Sequence, residues 1–428
     1  ITIPTTTGGT YYLHVLTVDN AGNKKETISS AITVKEPIVA DGSYNAEKGV
    51  NTPDLSDGKL TPITWNGTEW VEPQSTDDWY DYTAKKWANA KTSDGSMWVW
   101  IPRYAYSITS GYHSSSTGTI EIKFLKDSSN IAYDGTSTWD NVSGQGKWNV
   151  HPAFNYGQEV SGIWVAKFEA SPEGATTSTS NSEYNGTGKK LQVKPGVSSW
   201  RSITISNIYD VCKNYNSALN SHMMKNDEWG AVAYLSKSKY GKQNEEVWIN
   251  NSSSYITGSA GNSANAGTDV GTTNDYTSTQ GVKASTTGTV YGVYDMSGGA
   301  HEYVAAYVNN GDSNLASYGS SLVNGDAKTK NVYSKGSYDS SGKLQSQIEN
   351  GMAADIFMSA ATEQMNNLVK EKYISKGDVV ELLENKVVLI APKKGDAKVS
   401  SFKDITKADT IAPINSPICC NLGVAPTM

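Results

Sequence analysis

Arginine is almost missing from this chain. Of 36 basic residues only Arg103 and Arg201 are arginine, and the formal net charge is −7. A nucleic-acid protein usually presents a basic face and arginine forks, so the composition argues against that class. Phenylalanine is scarce as well, at 5 residues against 25 Tyr and 12 Trp. Tyr and Trp carry a polar handle and suit half-wet surfaces and shallow pockets. Three cysteines are too few for a disulfide scaffold. Cys419 and Cys420 are neighbours that rarely pair with each other, which leaves Cys212 without an obvious partner. No run of about 20 apolar residues occurs, so no transmembrane helix is expected. The chain begins at Ile1 with no charged-then-apolar leader, and it reads as a fragment in which a signal peptide would not be visible.

What is present is unevenly distributed. The 428 residues allow two to four domains. Charged residues make up 18% and hydrophobic ones 37%, and Ser, Thr, Asn, Gly and Tyr fill the balance. Disordered chains rarely hold twelve tryptophans, so folded, β-rich structure with long loops is expected. Every Trp precedes residue 250, and after 340 the only Tyr is Tyr373. Leucine shifts the other way, with ten in the first 340 residues and six in the last 88. Two kinds of polypeptide are joined near residue 340.

The first stretch, 1–36, reads as two strands and a turn. TYYLHVLTV (10–18) nearly alternates apolar and polar positions, Asp19-Asn20-Ala21-Gly22-Asn23 supplies turn chemistry, and Thr27–Val34 reads as a second strand. A hairpin alone cannot close a core. GTYYLHVLTVDNAGN resembles the closing strands of bacterial immunoglobulin-like repeats, which implies the last hairpin of a β-sandwich.

Residues 37–337 carry short aromatic strands: Met97–Pro102, Gly162–Phe168 and Val290–Met296. Long Ser/Thr/Gly/Asn stretches such as 171–187 and 250–290 separate them. Two helices are expected. Ile203–Ala218 places Ile205, Ile208, Tyr209 and Cys212 on one face, and Lys225–Ser236 follows it. Helices set among short strands and wide loops indicate an α+β domain. WNGTEWVEP, KKWANAKTSDGSMWVWIPRYAYSI, GIWVAKFEAS, HMMKNDEWGAVAYLSKSKYG and GVYDMSGGAHEYVAAYV occur in that order. The series, over about 65–335, resembles the formylglycine-generating (sulfatase-modifying factor) family, closest to a branch of clostridial and phage-associated surface proteins. The resemblance implies a C-type-lectin-like fold. Its most specific motif is YDMSGGAHEY, which marks Asp295, Ser297, Gly298 and Glu302 as structural positions. Glutamate is kept where the family reads Trp-Glu-Trp, but His301 and Tyr303 replace both tryptophans.

The oxidising members of that family use two cysteines near the domain's C-terminal end to hold copper. Only Cys212 lies in this stretch, on an expected helix, where a lone cysteine is read as a small core residue. The resemblance therefore implies a non-catalytic relative, neither enzyme nor cofactor carrier, that binds a surface ligand, glycan or protein. The family's Gly-, Trp- and Arg-rich final strands are not found here. No two of His14, His113, His151, His222 and His301 stand at metal spacing, so no metal site is assigned. Asp134-Gly135 and Gly267-Thr268-Asp269 have the oxygen-rich composition of a structural Ca²⁺ loop, but ordinary turns are the preferred reading. Glu302 is expected in a buried hydrogen-bond network rather than as an acid/base.

Residues 338–410 alternate helices with apolar strands, the pattern of parallel α/β structure. Helices are expected at Lys343–Asn350, from Thr362 to Lys372, at Asp378–Glu384 and from Ser400 or Ser401 into Lys407. Strands are expected at Asp355–Ala360 and Lys386–Ala391. SSGKLQSQIENGMAADIFMSA and LLENKVVLIAPK resemble the periplasmic molybdate-binding proteins of ABC transporters. That resemblance implies an oxyanion held by helix N-termini and serine hydroxyls, with Ser341 as a ligand and Ser340 as its neighbour. The family's first strand, first serine loop, second lobe and ligand tyrosine have no counterpart, and 411–428 match nothing. No useful molybdate affinity is expected from so partial a site, and unpaired strand edges favour poor order.

The fold class expected is thus multidomain: a partial immunoglobulin-like β-sandwich, an α+β C-type-lectin-like domain, and a partial α/β periplasmic-binding-protein lobe. The simplest account of the join is a chimera of a truncated surface protein and a truncated transporter receptor. The main functional expectation is an extracellular or cell-surface adhesion protein. Molybdate binding for an ABC transporter is the alternative, and formylglycine-type oxidation the weakest one.

Overall fold

The computed structural model describes residues 9–34, 38–112, 117–179, 185–264, 271–334 and 362–379. The chain divides into two compact units, Ile1–Lys335 and Gly336–Met428.

The first unit opens with two antiparallel pairs. Strand β2 (His14–Val18) pairs with β3 (Lys24–Ile28), and β1 (Gly9–Tyr11) pairs with β4 (Ile32–Val34). Asp19 closes the turn by accepting the amides of Ala21 and Asn23, each at 2.9 Å. The second strand expected at Thr27–Val34 is therefore two strands. It breaks at Ser29, whose hydroxyl accepts the Leu13 amide at 2.9 Å while its own amide bonds Leu13 O at 2.8 Å.

Beyond the hairpin, β5 (Tyr44–Asn45) pairs with β6 (Val50–Asn51). The main sheet is antiparallel, in the order β14-β10-β9-β7-β8. Its strands are β7 (Leu60–Trp65), β8 (Trp70–Val71), β9 (Asn89–Thr92), β10 (Met97–Pro102) and β14 (Gly162–Ala166). A three-stranded sheet places β11 (Tyr104–Ser110) between β12 (Thr119–Phe124) and β13 (Trp148–Val150). A one-turn helix α1 (Thr76–Trp79), then α2 (Ile205–Lys213) and α3 (Asn226–Ser236), supply helical cover. Helix α2 starts where the Thr204 hydroxyl accepts the Asn207 amide. Of its expected apolar face, Tyr209 is buried, and Ile205, Ile208 and Cys212 pack partly buried beside it.

The core explains why phenylalanine is dispensable. Trp79, Tyr80, Trp87 and Tyr104 are each 0% exposed. Three of the four place their polar atom on a main-chain acceptor: Trp79 Nε1 donates to Asn89 O (2.8 Å), Trp87 Nε1 to Tyr240 O (2.9 Å) and Tyr104 OH to Ala231 O (2.6 Å), while the Tyr80 hydroxyl makes no hydrogen bond. A buried ring with its handle satisfied adds orientation to its apolar burial. Placing these aromatics at half-wet surfaces is thus corrected for the largest of them. The polar loops have their own device. Asp41, Asp54, Asp81 and Asp275 each accept both the amide and the hydroxyl of the Ser or Thr two residues on, at 2.5–3.0 Å. Asp134 likewise takes the Thr136 amide (3.0 Å) and pairs with Lys123 (2.9 Å), which makes it a turn residue. Residues 267–269 lie outside the described residues.

Val290–Met296 is not a strand. Val293 and Tyr294 are buried, but Asp295 adopts φ +63°, which breaks the extended run. Within the second unit the helix expected from Thr362 is present as Thr362–Lys370. Lys372 and Tyr373 amides return to Val369 O and Leu368 O and close it, so it stops two residues early. A 3-10 turn occupies Lys376–Asp378, where the next helix was expected to begin. The other elements expected after Gly336 lie outside the described residues.

Gly162 of β14 stands where an added Cβ would meet the Trp100 ring and the Ile101 carbonyl. Gly162→Ala is expected to destabilise this unit by about 1–3 kcal/mol through overpacking. Urea unfolding followed by Trp fluorescence checks it, because all twelve tryptophans lie in the first unit.

Candidate functional site

Asp295 is the junction from which the site is built. It is 2% exposed, and its carboxylate collects three donors from distant segments. These are the Glu169 amide (3.1 Å), the Gly258 amide (2.9 and 3.0 Å to its two oxygens) and Asn250 Nδ2 (2.8 Å). The turn that follows is fixed just as tightly. Ser297 O accepts the Asn250 amide (2.8 Å), and Asn250 O accepts the Gly299 amide (2.9 Å). Gly298 and Gly299 take φ +82° and +73°. A Cβ on Gly298 would strike Asn250 O and Ile249 Cγ2, and one on Gly299 would strike Glu169 Oε1. Both positions therefore require glycine.

This packing brings a second carboxyl alongside. Glu169 is 9% exposed, and its Oε1 accepts the Ala300 amide at 2.8 Å. Its Oε2 has no hydrogen-bond partner. Burial, the Asp295 charge and then the Glu302 charge push its carboxyl well above the usual range. The Ser199 hydroxyl is close enough to oppose that rise, yet makes no hydrogen bond of normal geometry. With three N–H donors Asp295 is the ionised member, and Glu169 holds the proton.

Glu169 lines a cavity of about 670 Å³. Trp98, Trp200, Trp229, Tyr255 and Tyr303 contribute rings to its wall, and Arg201 lies 4.2 Å above the Tyr255 ring. Glu302 also lines it, and accepts Trp229 Nε1 at 2.9 Å. The side chain is exposed rather than part of the buried network expected from sequence. The surrounding wall still pushes its carboxyl up to about 7, opposed by the Trp229 bond and reinforced by the Asp295 charge. A volume of this size suits a small molecule or a short peptide segment.

Elsewhere on the wall, Glu228 accepts the Lys225 amide (2.7 Å), the Tyr156 hydroxyl and His222 Nε2 (3.0 Å). These bonds satisfy it as the capping residue of α3. Cys212 also lines the cavity, and burial pushes its thiol up to about 12. Among the described residues no three His, Cys, Asp or Glu side chains group at metal distance. No described helix is long and apolar enough to cross a membrane.

Of the positions marked from sequence, Asp295, Ser297 and Gly298 form one knot, and Glu302 faces the cavity beside it. Ser340 and Ser341 lie outside the described residues. Glu169, Arg201, Trp229 and Tyr255 were not singled out. Two signals pointed at them: Glu169 lies inside the GIWVAKFEAS motif, and Arg201 is one of only two arginines.

Residues 326–418 match the family model of bacterial extracellular solute-binding proteins. The chain is also 45% identical over 75 residues to YvgL of Bacillus subtilis (strain 168), a protein named as an ABC transporter substrate-binding lipoprotein. That likeness covers 18% of this chain and 29% of the relative, so the chain spans under a third of that protein's length. No solved structure matches the chain. The C-terminal part is thus similar to solute-binding proteins. These likenesses lend nothing to the lectin-like and immunoglobulin-like readings, which rest on their sequence motifs.

Asp295→Ala would leave three buried donors without an acceptor. A loss of at least about 3 kcal/mol is expected, read from the shift in urea midpoint by Trp fluorescence. The raised Glu302 sets a pH dependence. The folded state keeps a proton that the unfolded chain releases, so this group's contribution falls as pH rises from 4.5 towards about 7. His151, buried and pushed down to about 3, acts in the opposite sense below 6.5. The difference between wild type and Glu302→Gln isolates the glutamate. The variant is expected to lose less stability between about pH 5 and pH 8.

Proposed function

We infer that the chain is an extracellular solute-binding protein whose C-terminal unit carries part of an oxyanion site for an ABC transporter. The observation that supports this most is the solute-binding family match over 326–418, joined by the likeness to a substrate-binding lipoprotein. The finer reading is molybdate, carried by the wording SSGKLQSQIENGMAADIFMSA. Ser341 would donate its hydroxyl to the anion at the start of the expected helix Lys343–Asn350, with Ser340 beside it. The amides of a helix N-terminus favour a tetrahedral dianion without a counter-charge. Part of a cradle holds its anion weakly, so dissociation constants near 1 mM, about −4 kcal/mol, are expected. Equilibrium dialysis of the full chain against molybdate tests this. Ser341→Ala is expected to weaken binding at least fivefold, and equal uptake by both proteins would refute the assignment.

A second reading is favoured by the cavity in the first unit. An aromatic pocket holding a buried carboxyl with one unpartnered oxygen supports ligand binding there, in a non-catalytic relative of the formylglycine-generating family. Oxidation by that family's chemistry requires two cysteines, and residues 1–335 contain Cys212 alone. A thiol pushed up to about 12 is almost wholly protonated at neutral pH. In a Cys419→Ser, Cys420→Ser chain, no thiol is expected to react with Ellman's reagent at neutral pH until the protein is unfolded. Binding of the full chain to glycan and peptide arrays, lost in Trp229→Ala, tests the module reading.

A further inference from the structure

We propose that the cavity of the first unit takes a ligand bearing a primary or secondary ammonium group, seated against Glu302 and Glu169 among aromatic rings. This deepens the reading of that unit as a binding module.

The argument starts from charge. Four carboxyl residues line the cavity, Asp57, Glu169, Glu228 and Glu302, against one arginine and no lysine. Glu228 is already satisfied by His222, Tyr156 and the Lys225 amide. Glu169 is not: it is nine-tenths buried, and its Oε2 has no partner. A buried carboxyl oxygen without a hydrogen-bond partner costs free energy that is recovered once a ligand supplies one. Glu302 stands open to the cavity with a single bond, from Trp229 Nε1. An amine seated at Glu302 brings N–H donors and positive charge, and that charge favours release of the Glu169 proton, so that both carboxylates can accept from it.

The walls favour the same group. Trp200, Trp229, Tyr255 and Tyr303 present ring surface to the space. Rings attract a cation through their negative faces, by about 0.5–2 kcal/mol each according to desolvation. Tyr255 already stacks a guanidinium in this way, that of Arg201. A metal ion does not fit the donor set, since no three ligating side chains converge among the described residues. A neutral polyol offers Glu302 no compensating charge and nothing that draws the proton off Glu169. A lysine side chain, a peptide α-amine or a free polyamine shares the required chemistry.

The test uses the full chain, with cadaverine as the amine and 1,5-pentanediol as its neutral counterpart, in saturation-transfer NMR. Saturation of cadaverine and not of the diol is expected. Glu302→Gln should weaken binding at least tenfold, and Glu302→Asp should restore part of it. Glu302 is exposed, so its variants keep the fold if Glu169→Gln does not. Equal saturation of both probes overturns the amine inference and leaves the binding reading standing. Unchanged cadaverine binding in Glu302→Gln, or no saturation of either probe, also overturns it. Absence of any array binding would instead overturn the module reading itself.

Discussion

The first unit depends on a buried carboxylate that draws distant loops together. Asp295 receives main-chain donors from Glu169 and Gly258 and a side-chain donor from Asn250. A buried charge is tolerated only when hydrogen-bonded, so each of those segments is held where the carboxylate needs it. One consequence is the long Ser/Thr-rich stretch after residue 250, whose described residues have little regular structure yet are fixed at Asn250 and Gly258. Another is Glu169. Its amide serves Asp295 while its carboxyl, placed beside that charge, keeps a proton and one free oxygen. The cavity wall follows from the same knot that stabilises the fold.

That economy separates structure from function in the YDMSGGAHEY motif. Asp295, Ser297, Gly298 and Gly299 are consumed by packing and turn geometry. Glu302, three residues beyond Gly299, is released to the cavity and keeps only the Trp229 contact. His301 and Tyr303, on either side of Glu302, are exposed on the same rim. Chemistry at this rim is therefore set by one carboxyl and its aromatic neighbours. The second unit rests on another principle: its resemblance implies serine hydroxyls and helix amides around an anion. The two ligands proposed are therefore of opposite charge.

Much of the regular structure was legible in the sequence. Strand Met97–Pro102 announces itself as a short aromatic run and helix α2 by its 3/4 spacing, although the helix expected over Ile203–Ala218 spans only Ile205–Lys213. Val290–Met296 misled because its apolar run is buried without pairing as a strand. The left-handed Asp295 breaks it, and no local pattern signals that. The core aromatics misled in the other direction, since Trp79 and Tyr104 look like surface residues by their polar handles until main-chain acceptors appear. Asp295 and Glu302 were legible through their motif. Glu169 as a site residue was not, because its role arises from contact with a carboxylate 126 residues away. The change of composition near 340 lies beside the division of the chain into units at 335.

The central claim is that two units bind two different ligands at separate sites. Hydrogen-exchange mass spectrometry on the full chain, alone, with molybdate and with cadaverine, tests it most directly. Molybdate is expected to slow exchange only within 336–428, centred on Ser341. Cadaverine is expected to slow it only within 1–335, around Glu169 and Glu302. Protection by either ligand in the opposite unit, or by neither ligand anywhere, would contradict the account.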